Sequence, residues 1–314
     1  MERLHYLDQM KGVAIFLMVM GHVLIFCFNI QYPTPASTLH LLNMPCFFYV
    51  SGFLAYKKHY NDGVFKTLFH KSKRLVYPWL FASIAWCCYD GLSFVETFFN
   101  FYWFFFVLWS LIVIFILYDS FVSRFLKHPF LYVSAFLLIV LGFAGLKMGG
   151  VDNTYVHSTQ LFIYSISFLF GWLCKKYSWL NDFVLNNSLV FIISLFVYVF
   201  ACLNYEHMNI ILRIFSGIGG YIVLQSYFYH RERIGVNGRI EKNLAYLGSC
   251  TLSVYVLNNY FMADLSDIFP PSLVLSNGFL FELVLLGLIT GIVIMGCLLL
   301  RSLISNNKYL NQLL

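Results

Sequence analysis

Two polar residues on the first apolar segment, Lys11 and His22, have the types and spacing best suited to chemistry. They lie within HYLDQMKGVAIFLMVMGHV, a stretch dominated by apolar residues. Eleven residues at about 100° each make roughly three turns plus 20°, so on an α-helix both side chains share one face, about 16 Å apart along the axis. Imidazole titrates near neutral pH and serves as a general base. We therefore predict His22 as a catalytic residue and Lys11 as its partner.

Each of these residues also has a structural interpretation. His22 can hydrogen-bond a neighbouring helix, and Lys11 can extend its amine to the lipid headgroups. Ionisable residues inside a membrane span are costly and usually face a bundle interior or a water-filled cavity, which favours a functional role. Of the nine histidines, His22 alone lies deep within an apolar segment.

The composition of the chain is that of a membrane protein. Of its 314 residues, 60% are apolar or aromatic and 11% are charged, whereas soluble domains are roughly a quarter charged. Helices are the expected spans, because lipid offers the backbone no hydrogen-bond partner. We predict an all-α, polytopic integral membrane bundle of about ten transmembrane helices, forming a single domain over residues 1–314. The apolar segments lie at 11–30, 38–56, 75–90, 101–118, 129–146, 157–174, 188–203, 209–229, 244–263 and 276–300.

The positive charges indicate the orientation of the spans. With a cytoplasmic N-terminus, all of the 20 lysines and arginines except Lys147 and Arg213 fall on the inner side, as the positive-inside rule requires. We therefore predict that both termini are cytoplasmic. Anionic headgroups of the lipid bilayer account for the net charge of +6 without a nucleic acid. The eight cysteines lie in apolar segments without metal-ligand spacing, so no metal is predicted.

A basic cluster follows the second apolar segment. Its members are Lys57, Lys58, Lys66, Lys71, Lys73 and Arg74. Such a cluster anchors an inner loop, and it also suits a phosphate-rich cytoplasmic cofactor. In the segment before it, Ser51 and Gly52 form either part of a cavity wall or a packing notch for another helix. Lys71, Lys73, Arg74 and Ser51 are the cofactor-binding candidates.

Three residues toward the outer side are candidates for binding a substrate. Trp103 opens the fourth apolar segment, where it belongs to an interfacial aromatic belt or forms a platform for a sugar ring. Arg213 and Glu282 lie at comparable depth, and they either pair with each other or bind a polar acceptor.

Five segments, in order along the chain, match a known family. They are LDQMKGVAIFLMVMGH, NMPCFFYVSGFLAYKK, KSKRLVYPWLF, YWFFFVLWSL and YLGSCTLSVYVL. They resemble conserved segments of the membrane-bound acyltransferase-3 family, and of its sugar O-acetylase branch in particular. The resemblance implies transfer of an acyl group, usually acetyl from cytoplasmic acetyl-CoA, to a hydroxyl of a glycan or glycolipid acceptor. It also implies a bacterial inner or plasma membrane, with His22 as the catalytic histidine and Lys11 as its paired cation.

Three positions depart from the family's pattern. One motif of the family is more often Arg-x-x-Arg. Here Lys71 occupies its first position and Arg74 its last. Asn43 stands where many relatives have His before Met-Pro, and Asn258 where many have His after Tyr-Val-Leu. We predict Asn43 and Asn258 as substrate-binding positions at which the acceptor or the acyl group differs.

A second class of function fits the same pattern. A glycan exporter or flippase also has many spans and isolated ionisable residues at mid-membrane. If the protein is a transferase, two reaction routes remain open. The acceptor hydroxyl attacks the thioester directly, or the acyl group is first transferred to the histidine.

Overall fold

The computed structural model describes residues 4–30, 34, 36–57, 63–122, 125, 128–151, 156–207, 209–235 and 238–305. Within these ranges the regular structure is helical and contains no strand, which confirms the all-α prediction. The helices, numbered in chain order, are α1 (His5–Phe26), α2 (Asn43–Ala55), α3 (Val64–Asp90), α4 (Phe94–Glu96), α5 (Trp103–Val122), α6 (Pro129–Met148), α7 (Ser158–Lys176), α8 (Ser178–Asn186), α9 (Ser188–Leu203), α10 (Ile210–Arg233), α11 (Arg239–Ser249), α12 (Thr251–Leu257), α13 (Pro271–Ser276) and α14 (Gly278–Ser305). Short 3-10 segments lie at Ala36–Leu42, Tyr205–His207 and Asn258–Phe261, and a π-helical segment lies at Thr97–Phe101.

Several helices have the length and apolarity of membrane spans. Among the described residues there are five, α1, α5, α6, α10 and α14, and α8 with α9 makes a sixth if this pair, bent by 72°, is one span. Each predicted apolar segment contains helix, but α2 has only 13 residues, α3 begins with basic residues, and the 244–263 segment is broken at Cys250. The protein is thus a helical membrane protein, while the number of ten spans and the cytoplasmic termini stay predictions.

The chain divides into two compact units. The first unit comprises the described residues up to Phe47 and those from Trp179 onward, and the second comprises Phe48–Ser178. The boundary between them falls inside α2. A single domain over residues 1–314 stays a prediction.

Helix α1 lies at the centre of the first unit. Of its apolar window 61% is buried, the largest share among the five candidate spans. It packs against α10, α11, α12 and α14. The contact with α11 is between backbones, because a Cβ at Gly12 would lie 2.1 Å from the carbonyl oxygen of Leu244, and one at Gly248 would lie 1.7 Å from that of Asp8. Only glycine permits such an approach at these two positions.

In the second unit, glycines likewise allow the backbones of α2 and α7 to approach closely. A Cβ at Gly52 would lie 2.1 Å from the carbonyl oxygen of Phe168, and one at Gly171 would lie 2.0 Å from that of Tyr49. Of the two interpretations of the Ser51-Gly52 pair, the packing notch is therefore the one that the structure supports for Gly52. Farther along α7, Lys176 forms a salt bridge with Asp119 of α5.

Replacing either glycine of the α1–α11 contact should destabilise the protein. We expect Gly12→Ala and Gly248→Ala each to lower the free energy of unfolding by about 1–3 kcal/mol, because the added methyl overlaps a backbone carbonyl. The measurement is the melting temperature in detergent. The matched controls are Gly287→Ala and Gly291→Ala on α14, where an added Cβ meets no atom within 4 Å. Equal melting temperatures for the two pairs of variants would contradict the backbone contact.

Candidate active site

The imidazole of His22 is bonded to an asparagine from the other end of the sequence. Its Nδ1 lies 2.9 Å from Oδ1 of Asn258. The amide nitrogen of Asn258 donates in turn to two backbone carbonyls at the end of α12, at 2.6 Å to Tyr255 and 3.1 Å to Val254. Asn258 is fully buried and His22 is half-buried. The imidazole is thus held on one side, and part of its surface stays accessible.

Contacts at two levels fix Asn258 beside α1. Gly248, near the end of α11, touches the backbone of α1 at Asp8. After α12, the backbone N–H of Leu265 donates to the carbonyl of Cys27, just beyond the end of α1, at 2.8 Å. Because both flanks of α12 are tied to α1, the level of Asn258 along that helix is set.

The cation of Lys11 has a partner on its own helix. Its Nζ lies 2.6 Å from Oδ1 of Asp8, and the two side chains are 21% and 11% exposed. Sequence reasoning missed Asp8, although an acid three residues before a lysine is a readable signal for an ion pair on a helix. Since α1 is continuous, Lys11 and His22 do share one face about 16 Å apart.

Part of the basic cluster comes together in the second unit. Lys71 is half-buried, and its Nζ donates to the carbonyl of Ala55, the last residue of α2, at 3.3 Å. Burial, and then the positive charges of Lys57 and Arg74, lower the pKa of Lys71 to about 8. A polyanion would relieve this mutual repulsion. Lys73 is exposed and lies 5.3 Å from the ring centroid of Tyr77, while Lys58 lies outside the described residues.

Two other candidates of the second unit are only partly accessible. Ser51 is half-buried on α2. The half-buried indole of Trp103 stacks on Tyr164, with ring centroids 5.8 Å apart and an interplanar angle of 17°. Tyr164 stacks in turn on Phe48 at 4.7 Å. One face of Trp103 is thus covered by the protein, and the ring centroid of His157 lies 6.4 Å from that of its indole as well.

The remaining candidates lie in the first unit. Asn43 is buried at the start of α2, where its Oδ1 accepts from the N–H of Met44. Glu282 is buried and accepts a hydrogen bond from the hydroxyl of Thr34, whereas Arg213 is exposed on α10. Of the two alternatives left open for Arg213 and Glu282, mutual pairing is therefore not what the structure shows. Among the described residues no group of three or more His, Cys, Asp or Glu side chains is placed to hold a metal ion.

A helical membrane protein with an imidazole on its most buried candidate span and a basic cluster elsewhere has the parts of an integral-membrane acyltransferase. The family model of the acyltransferase-3 type, described as an acyltransferase domain, matches residues 4–301. The chain therefore belongs to the acyltransferase-3 family and is a membrane acyltransferase. No curated protein and no solved structure matches it significantly.

The charge state of Lys71 can be tested directly. With a pKa of about 8, its amine loses the proton as pH rises through 8, well below the value of about 10.4 for a free lysine. We expect its labelling by acetic anhydride, followed by peptide mass spectrometry, to be half-maximal near pH 8. Lys57→Gln removes a repelling charge and should raise that midpoint. A labelling midpoint near pH 10.4 in the wild type, or a midpoint that Lys57→Gln leaves unchanged, would contradict the mutual repulsion of these positive charges.

Proposed function

We propose that this acyltransferase moves an acyl group, acetyl from cytoplasmic acetyl-CoA, to a hydroxyl of a cell-surface or lipid-linked glycan, with His22 as the general base. The observation that carries the proposal is the position of His22. Its imidazole lies on the most buried candidate span, is anchored by Asn258, and is half-buried.

The chemistry assigned to His22 is one proton transfer in each direction. Its imidazole takes the proton of the acceptor hydroxyl while that oxygen attacks the carbonyl carbon of the thioester. The new C–O bond replaces the C–S bond, and the sulfur of coenzyme A leaves as a thiolate. The imidazolium then protonates the thiolate, so that free coenzyme A is released and His22 returns to its neutral form. No metal and no covalent enzyme intermediate is required by this route.

The donor site is assigned to the basic cluster of the second unit. Coenzyme A carries several phosphate groups, and the charges of Lys57 and Arg74 are close enough to Lys71 to add to the effect of burial in lowering its pKa. Positive charges held together are suited to bind an anion, since each phosphate oxygen accepts charge-assisted hydrogen bonds. Lys73 and Ser51 are assigned to the edge of the same site.

The other candidates are assigned to the acceptor and to His22. Trp103 of the second unit is assigned as a candidate for stacking on a sugar ring. Asn43, Arg213 and Glu282 of the first unit are assigned as candidates for binding acceptor hydroxyl groups. Lys11 is paired with Asp8, so its charge acts on bound groups only after partial compensation. Lys11 is assigned as a positioning cation on the face of α1 that carries His22. The membrane proposed for the protein is an inner or plasma membrane.

Removing the base should abolish transfer without unfolding the protein. We expect His22→Ala to lower acyl transfer by about 10²–10⁴-fold, because a positioned general base contributes that much, and Lys11→Ala to lower it strongly as well. The measurement is incorporation of radiolabelled acetyl-CoA into membrane glycan, normalised to the amount of inserted protein. His207→Ala, at an exposed histidine, is the control with unchanged transfer. If His22→Ala or Lys11→Ala transfers acyl groups at the wild-type rate, the role proposed for that residue is wrong.

Acetyl-CoA binding separates a transferase from a glycan exporter. At 100 times its dissociation constant, a ligand that binds only the folded state stabilises it by about 2.7 kcal/mol. We expect acetyl-CoA to raise the melting temperature in detergent, and Lys71→Gln with Arg74→Gln to reduce that rise. Dephospho-CoA, which lacks one phosphate, should give a smaller rise. No rise with acetyl-CoA, together with glycan-induced stabilisation, would favour the exporter.

A further inference from the structure

The role of Asn258 differs from the substrate binding that its position in the sequence predicts. It is fully buried, and its carboxamide contacts the imidazole of His22 and two carbonyls of its own helix end. This inference rests on the proposed role of His22 as the base. It concerns which ring nitrogen of His22 performs that role.

The orientation of the Asn258 amide follows from its partners. The NH₂ group has two hydrogens, and the two backbone carbonyls of Val254 and Tyr255 can only accept. Both carbonyls lie in the last turn of α12, and that of Val254 also accepts from the backbone N–H of Asn258. The reversed amide would place its oxygen against these two carbonyl oxygens with no hydrogen between them. The amide oxygen must therefore face His22.

An amide oxygen only accepts, so the contact at 2.9 Å requires that Nδ1 of His22 carries a hydrogen. In neutral imidazole the other nitrogen, Nε2, then carries the lone pair. We propose that Asn258 is a positioning residue that holds His22 as the Nδ1–H tautomer, so that Nε2 is the atom that accepts the proton of the acceptor hydroxyl. Asn258 takes the place that a carboxylate has beside the histidine of many hydrolases.

A neutral partner has a distinct consequence at this depth. A carboxylate beside His22 would bring a second charge into the apolar interior, at a cost that an amide avoids. The amide oxygen still stabilises the N–H that becomes more acidic when Nε2 is protonated in the reaction. Asn258 thus combines orientation of the base with low desolvation cost.

Two substitutions of nearly equal shape test the role of the Asn258 amide oxygen as the hydrogen-bond acceptor of His22. Asn258→Leu and Asn258→Asp both remove the N–H donors to Val254 and Tyr255, but only Asp keeps an oxygen facing Nδ1. Its second oxygen, protonated in the apolar interior, then donates to one of the two carbonyls. Asn259→Leu is the matched control, since Asn259 is the next residue of the same 3-10 segment and is half-buried. Each variant is first checked for insertion and melting temperature in detergent. Transfer from radiolabelled acetyl-CoA to the glycan of the expressing membrane is then measured over a range of donor concentrations.

We expect Asn258→Leu to lower kcat by about tenfold or more with KM for acetyl-CoA within about twofold of wild type, because the base loses its tautomer and the donor site is untouched. Asn258→Asp should recover most of the lost kcat, and Asn259→Leu should match wild type. The proposal is overturned if Asn258→Leu keeps the wild-type kcat, or if Asp and Leu are equally impaired. If His22→Ala itself retains transfer, the proposed general base fails instead, and that result is distinguishable because it does not involve Asn258.

Discussion

Helix α1 and helix α11 approach so closely that their backbones touch at Gly12 and Gly248. Lipid tails are as apolar as leucine, so helices in a bilayer associate through close packing and polar bonds rather than through the hydrophobic effect. The glycine contact supplies that packing for the first unit. It also determines where the next helix runs, because α12 continues from α11 after the break at Cys250. Together with the hydrogen bond from Leu265 to Cys27, this arrangement places Asn258 beside His22.

Three ionisable groups of the first unit each have a polar partner, as a charge or a polar ring in an apolar interior requires. Lys11 pairs with Asp8, Glu282 bonds to Thr34, and His22 bonds to Asn258. The first two pairs are complete as they stand. His22 differs from them because its hydrogen bond uses one ring nitrogen, Nδ1, while the side chain is half-buried. In the proposed mechanism, that difference makes it the reactive member of the set.

The sequence was sufficient for the all-helical class and for locating an imidazole deep within a candidate span, because apolar runs and the position of a histidine within one are local features. It was not sufficient for the partner of His22, since Asn258 is 236 positions away and its placement depends on the α1–α11 contact. The covered face of Trp103 likewise depends on Tyr164 from another helix. The pairing of Asp8 with Lys11 could have been predicted from their spacing along the helix. The breaks that shorten α2 and interrupt α11 reflect local backbone geometry that hydropathy does not encode.

The central claim is that the imidazole of His22 meets the acyl donor inside the protein. The most direct measurement is a cryo-electron microscopy structure in lipid nanodiscs with a non-reactive acetyl-CoA analogue. The expected result places the acyl carbonyl of the analogue within about 4 Å of the position that an acceptor oxygen hydrogen-bonded to Nε2 of His22 would occupy. An imidazole that faces lipid tails, or a donor bound with no opening between its thioester and His22, would contradict it.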